Sequence, residues 1–218
     1  MFYTILIISY LTYLSAAVAG LIFFNRINAE AKFLLLYLFL ELIAEAYCNY
    51  LSMHNESNLW LYNVFNLFEA GTFGGILISY IPDRKFKTAG IVLSSLFFFL
   101  WIVINFIVSN ISILHPTIQV TECLILVFLS GYLIIHVSNI TEDFYHDPRF
   151  WIASAILIYF FTTLFVSAIT SVITKPGYHG MDNLWIINSV ANIFSHILFV
   201  IYFVWNSRWN SHRKMFSF

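Results

Sequence analysis

Long hydrophobic stretches separated by short polar connections run along the chain. Each stretch contains 20 or more residues and few charges, and a helix needs about 20 apolar residues to span a bilayer. The pattern predicts seven membrane-spanning helices, at residues 2–24, 33–52, 59–81, 89–108, 117–137, 150–173 and 184–205. The connections are too short to form a second domain. We therefore expect one transmembrane domain over residues 1–205 and a short basic tail over residues 206–218.

The amino-acid composition restricts the fold class further. Hydrophobic residues make up 61% of the chain and charged residues 10%, whereas a soluble domain carries about 25% charged residues. This composition excludes a water-soluble globule and predicts an all-α protein of the plasma membrane or a bacterial inner membrane.

The basic residues are distributed unevenly between the two sides of the predicted bundle. The first, third and fifth connections and the tail contain nine of them: Arg26, Lys32, Arg84, Lys85, Lys87, Arg149, Arg208, Arg213 and Lys214. The opposite side carries only Lys175. Short loops rich in lysine and arginine stay in the cytoplasm. The asymmetry therefore predicts an outside N-terminus and a cytoplasmic C-terminus.

Four glutamates lie inside hydrophobic stretches that contain no lysine or arginine: Glu41, Glu45, Glu69 and Glu122. An ionisable group within a bilayer is costly, so it usually faces the bundle interior or a watery cavity and marks a functional path. Because burial without a basic partner disfavours the charged form, we expect some of the four to be protonated in an empty site. Such a site suits a cation, a metal, a proton or a neutral hydrogen-bond donor.

Other polar residues accompany these glutamates at helical spacing. In predicted helices 2, 3 and 7 they recur three or four residues apart, which places them on one face of each helix. Lipid cannot satisfy such groups, so we expect the polar faces to surround one cavity. The predicted ligand-binding residues are Glu41, Glu45, Asn49, Tyr62, Asn66, Glu69, Glu122, Asn188, Asn192 and His196.

A packing role is the alternative for these residues. Buried polar side chains can join helices by hydrogen bonds that contribute about 0.6–2 kcal/mol each. Gly71 and Gly75 have the GxxxG spacing that lets two helix backbones approach closely. That contact could lie within the bundle or between the subunits of a homodimer.

Motifs for metal binding or catalysis are weak. Glu45, Glu69, Glu122 and His196 could offer oxygen and imidazole ligands, but there is no HExxH motif, and we assign no metal or other cofactor. No P-loop or dinucleotide fingerprint occurs. The scattered basic residues do not indicate nucleic-acid binding, and the sequence leaves open whether the protein is an enzyme.

Seven helices with an outside N-terminus resemble the rhodopsin-like layout. The resemblance concerns topology alone, and a shared layout does not imply a shared function. A retinal protein of that kind would attach its chromophore to a lysine in the seventh helix. The seventh stretch here, LWIINSVANIFSHILFVIYFVW, contains no lysine. A retinal photoreceptor or pump is therefore not expected.

Three functions remain open. The first is a receptor- or sensor-like protein that binds a small molecule or cation in an outward-opening pocket and signals through a protein partner or a second subunit. The second is an intramembrane enzyme that acts on a lipid or small amphiphile, with the glutamates as acid, base or metal ligands. The third is a proton-coupled carrier. Ligand-dependent partner binding, turnover and flux into liposomes would distinguish them.

Overall fold

The computed structural model describes residues 2–113, 115–140, 142–172 and 181–215, which form seven α-helices and no strand. The helices are α1 (Phe2–Ile22), α2 (Ala29–Met53), α3 (Leu59–Tyr80), α4 (Arg84–Ile102), α5 (Pro116–Ile140), α6 (Pro148–Val172) and α7 (Met181–Met215). A π-helical segment, Val103–Val108, continues α4. Each predicted hydrophobic stretch thus forms a helix, and α7 continues into the predicted tail.

Four helical segments are long and apolar enough to cross a membrane: Arg84–Val108, Pro116–Ile140, Pro148–Ile169 and Ile186–Asn210. A shorter apolar segment, Ile7–Ile22, lies in α1. These lengths and compositions indicate a helical membrane protein. Lys175 and Ile173, the predicted end of the sixth span, lie outside the described residues.

Six of the helices form a ring. Following the contacts between neighbours, its order is α1, α2, α3, α5, α6 and α7, and α7 packs against α1 to close it. The fourth helix, α4, lies outside the ring against α3 and α5. Because α3 contacts both α4 and α6, its side chains can face either the space inside the ring or the space between the ring and α4.

Side-chain caps fix where several helices begin. Asn28 accepts a hydrogen bond from the backbone N–H of Ala31 at the start of α2, and Asp83 accepts from the first turn of α4. At the start of α6, Asp147 accepts from the backbone N–H of Arg149 and forms an ion pair with its side chain. Such caps satisfy N–H groups that have no partner within the helix.

The connection between α1 and α2 is fastened to two other helices. The Asn28 side-chain amide donates to Tyr80 Oη at 2.9 Å, and the Tyr80 and Tyr202 hydroxyls lie 2.8 Å apart. The backbone N–H of Asn28 also donates to Asn206 Oδ1 at 2.9 Å. This network ties α3 and α7 together at the end of the bundle that the basic residues predict to be cytoplasmic.

Two groups of buried apolar side chains hold the helices together. The larger one lies inside the ring and joins α1, α2, α3, α5, α6 and α7. The smaller one, formed by Ala70, Phe97, Trp101 and Ile118, attaches α4 to the ring. The outward faces of the helices are also apolar, as Phe99 and Ile107 on α4 and its π-helical end illustrate. Such faces suit contact with lipid tails.

Candidate functional site

Four helices surround a small cavity inside the ring, called here the central cavity. Its lining includes Glu41 of α2, Glu69 of α3, and Asn192 and His196 of α7. The structure thus brings four of the predicted residues together. The cavity has room for about one water molecule. The other lining residues are Tyr37, Phe73, Ile156, Tyr159, Phe160, Ser195 and Phe199.

Tyr37 connects the two carboxyl groups of the central cavity. Its hydroxyl donates a 2.8 Å hydrogen bond to Glu69 Oε1, and both side chains are buried. The carboxyl group of Glu41 lies near the hydroxyls of Tyr37 and Tyr13, which donate to Glu69 Oε1 and to the backbone oxygen of Leu38. No lysine or arginine is among the lining residues that the structure describes. The Tyr37 hydroxyl therefore orients Glu69, and no basic side chain among the described lining residues would balance a negative charge on Glu69.

His196 is buried beside this pair. Its ring packs edge-on against Tyr13, with 4.3 Å between the ring centroids. Its Nδ1 atom has no hydrogen-bond partner among the described residues. The neighbouring Ser195 hydroxyl lies 3.0 Å from the backbone oxygens of Ala155 and Ala191. The Ser195 hydroxyl therefore bonds backbone carbonyl groups of α6 and α7. These contacts do not indicate a nucleophile activated by His196.

Glu122 lies in a different place, between α3, α4 and α5. It lines a second small cavity, called here the α4 cavity, together with Ser94, Ala70, Phe97, Phe98, Ile125 and Leu126. Glu122 is 2% exposed, and its Oε1 atom has no hydrogen-bond partner among the described residues. Ala70 follows Glu69 directly, and successive helical residues do not face the same way. As a result, α3 contributes to both cavities.

Glu45 and Asn49 lie nearer the C-terminal end of α2, beside α1. The Tyr10 hydroxyl donates to Glu45 Oε2 at 3.4 Å, and the Asn49 side-chain amide donates to Tyr10 Oη at 2.8 Å. Glu45 is half-buried, whereas Asn49 and Tyr62 are exposed. Tyr62 interacts with Cys48 rather than with the central cavity. This group therefore lies closer to the surface than the Glu41–Glu69 pair.

The last two predicted ligand-binding residues are Asn188 and Asn66. The Thr163 hydroxyl donates to Asn188 Oδ1 at 2.9 Å, which joins α6 to α7. Asn66 is half-buried and is not among the described lining residues of either cavity. The contacts of Asn188 fit the packing alternative, since its partner is a side chain of the neighbouring helix.

The four glutamates nevertheless form a connected row. Glu41 is close enough to interact electrostatically with both Glu45 and Glu69, and Glu122 interacts with Glu69. The row runs from α2 through α3 to α5. Negative charges on two neighbouring members of the row would repel each other, so a proton or cation bound between them would ease the repulsion of that pair.

Comparison with known proteins gives no family assignment. No protein-family model, no curated protein and no solved structure matches this chain.

The residues considered for a metal site lie apart. Glu69 and His196 line the central cavity, Glu122 lines the α4 cavity, and Glu45 is bonded to Tyr10. Within the described ranges, no group of three or more His, Cys, Asp and Glu side chains is arranged to hold a metal ion.

Four tyrosines belong to the site but not to the predicted set: Tyr10, Tyr13, Tyr37 and Tyr159. Tyr37 precedes Glu41 by four residues, so the polar face of α2 begins one turn earlier than we inferred. Tyr10 and Tyr13 come from α1, which contains no acidic residue. The i, i+4 rule could have found Tyr37, but no signal in the sequence marks the tyrosines of α1.

Proposed function

We propose that this protein is a receptor- or sensor-like membrane protein that binds a small cation in the central cavity. The proposal rests on the two carboxyl groups, Glu41 and Glu69, which line one cavity without a lysine or arginine among the described lining residues. Ionisable groups within a bilayer are costly and usually belong to a ligand, ion or proton path. A bound cation would balance the charge that these carboxyl groups carry when ionised.

The polar groups around the cavity can share the contacts to such a cation. Glu69 is oriented by Tyr37 and offers its second oxygen, and Glu41 offers another carboxyl group. Asn192 adds an amide oxygen, and His196 Nδ1 has no partner among the described residues. An ammonium ion donates hydrogen bonds to acceptors of these kinds. Hydrogen bonds with an ionised partner are roughly twice as strong as neutral ones.

The size of the cavity restricts the ligand. Space for about one water molecule accommodates an ammonium ion. Phe73, Phe160 and Phe199 form apolar walls, so a larger amine requires these rings to move. We therefore place ammonium first among the ligands.

Ammonium is expected to stabilise the purified protein, whereas choline is not. A ligand that binds only the folded state raises its stability with concentration, and the choline head group is too large for the cavity. The measurement is the melting temperature in detergent as ammonium chloride replaces choline chloride at constant ionic strength. Equal melting temperatures across the whole exchange would contradict cation binding in the cavity.

We also propose that all seven helices span the membrane, with the N-terminus outside. The nine basic residues on one side support this orientation. It would place Glu45 and Tyr10 between the outer surface and the central cavity. A cation would then reach Glu41 and Glu69 from outside, past the half-buried carboxyl group of Glu45.

Single cysteines are expected to report this orientation. An impermeant thiol reagent added to intact cells should label a cysteine at position 55 and leave one at position 85 unlabelled until the membrane is opened. Cys48 and Cys123 are buried in the structure, and replacing both by alanine gives the background for the measurement. Labelling at position 85 but not at position 55 in intact cells would reverse the orientation.

The row of four glutamates supports a second candidate, a proton-coupled carrier. Each neighbouring pair in the row interacts electrostatically, so a proton taken up at one carboxyl group affects the next. A carrier would move its substrate across a liposome membrane and would respond to a pH gradient, whereas a receptor would bind its ligand without flux. Measuring ammonium or amine uptake into liposomes under a pH gradient distinguishes the two.

A further inference from the structure

The α4 cavity contains a carboxyl group that neither cation binding in the central cavity nor helix packing uses. Glu122 is buried, and its Oε1 atom has no hydrogen-bond partner among the described residues. The Ser94 hydroxyl is the other polar side-chain group among the described lining residues, and the remaining walls are apolar. A buried polar atom without a partner costs about 1–3 kcal/mol. Such an oxygen can accept a hydrogen bond from a donor outside the chain.

Small residues on α3 leave the space that this donor would occupy. A Cβ atom at Gly74 would lie 3.4 Å from Ser94 Oγ and 3.9 Å from Leu126 Cδ2, and one at Gly71 would lie 3.5 Å from Phe98 Cζ. Ser94, Leu126 and Phe98 all line the α4 cavity. Larger side chains at Gly71 or Gly74 would therefore press against these lining residues.

One side of this region opens away from the bundle. On α4, Leu96 and Phe99 are exposed. Among the described elements in close contact, α4 packs only against α3, α5 and its own π-helical end, so the border between α3 and α4 lies at the lipid-facing surface.

We propose that the α4 cavity binds the ammonium head group of a membrane-soluble primary amine, whose hydrocarbon chain lies along the border of α3 and α4. This site is separate from the central cavity and does not depend on the function proposed for it. The cavity has room for about one water molecule, which matches a primary ammonium group. Its three N–H donors would meet Glu122 Oε1 and Ser94 Oγ.

The same geometry disfavours other amphiphiles. A quaternary ammonium group has no N–H to donate and is larger than the cavity. A long-chain alcohol fits by size but brings no positive charge to Glu122, and hydrogen bonds between ionised groups are stronger than neutral ones. An anionic head group would face a carboxyl group in an apolar enclosure. The site should therefore select a primary amine over an alcohol with the same chain.

The test is photolabelling of the full-length protein in nanodiscs with a C12 primary amine that carries a diazirine in its chain. We expect the label on peptides covering residues 70–98, and we expect unlabelled dodecylamine to compete while dodecanol does not. Glu122→Gln should reduce labelling at least about 10-fold, because an amide cannot carry the charge that pairs with ammonium. Glu56→Gln, in the exposed connection between α2 and α3, should leave labelling unchanged.

Two glycine variants provide a matched pair. Gly74→Val places its side chain against Ser94 and Leu126 and should block labelling, whereas Gly75→Val points into open space and should not. Both add the same side chain to the same helix, so they remain informative even if Glu122→Gln fails to fold. Equal labelling of the two valine variants, or equal competition by dodecanol, would show adventitious partitioning only and would overturn the proposal.

Discussion

Replacing Glu69 by glutamine is expected to leave the protein folded and to weaken ammonium binding by about 10- to 100-fold. The amide oxygen of glutamine can still accept the hydrogen bond from Tyr37, so the contact that orients the side chain is kept. The negative charge is lost, because an amide does not ionise. The measurement is the ammonium concentration that gives half of the maximal rise in melting temperature.

Glu56→Gln is the matched control for this prediction. Glu56 lies in the connection between α2 and α3 and is exposed, so the same change in charge there should not alter ammonium binding. If Glu69→Gln binds ammonium as the unmodified protein does, Glu69 serves packing. If the variant fails to fold, Tyr37→Phe, which removes the hydroxyl that donates to Glu69 and lies near Glu41, should weaken ammonium binding instead.

Replacing Asn63 by leucine is expected to destabilise the protein by about 2–4 kcal/mol. Asn63 is fully buried, and its side-chain amide donates to the backbone oxygens of Ile111 and Ile113 at 2.7 and 2.8 Å. Leucine has a similar size but cannot donate, so both carbonyl groups lose this partner. Asn63 therefore fastens the connection between α4 and α5 to α3, which equilibrium unfolding in detergent should reveal.

Asn139→Leu provides the comparison for Asn63. Asn139 lies on α5 and is exposed, so the same substitution there should change the free energy of unfolding by less than about 0.5 kcal/mol. Ammonium binding to folded Asn63→Leu should be preserved, since Asn63 is not among the described lining residues of the central cavity. Equal stability of the two variants would remove the structural role assigned to Asn63.

The helices could be predicted from hydropathy alone because each one needs a continuous apolar stretch. The start of α2 lies four residues before the predicted one, at Ala29, because Asn28 caps it. At the other end of the chain, α7 continues to Met215, since the polar residues after Trp205 do not prevent helical backbone. Hydropathy thus finds the apolar part of a helix, whereas caps and polar extensions decide its ends.

The site was only partly predictable for a geometric reason. Spacing along one helix grouped Asn188, Asn192 and His196 on one face, and of these Asn192 and His196 are among the described lining residues of the central cavity. It could not give the rotation of α5 relative to α3. Glu122 therefore lines a cavity separate from the one that Glu69 lines. Spacing gives the face of one helix on which a residue lies, whereas the space that this face meets depends on how the helices pack.

Anomalous diffraction from crystals grown with thallium(I), a monovalent ion close in size to ammonium, tests most directly whether a cation binds in the central cavity. We expect an anomalous peak in contact with the carboxyl oxygens of Glu41 and Glu69, and we expect Glu69→Gln to lose it. The same crystals of Glu56→Gln should keep the peak. A cavity without anomalous density at saturating thallium would contradict the proposed cation site.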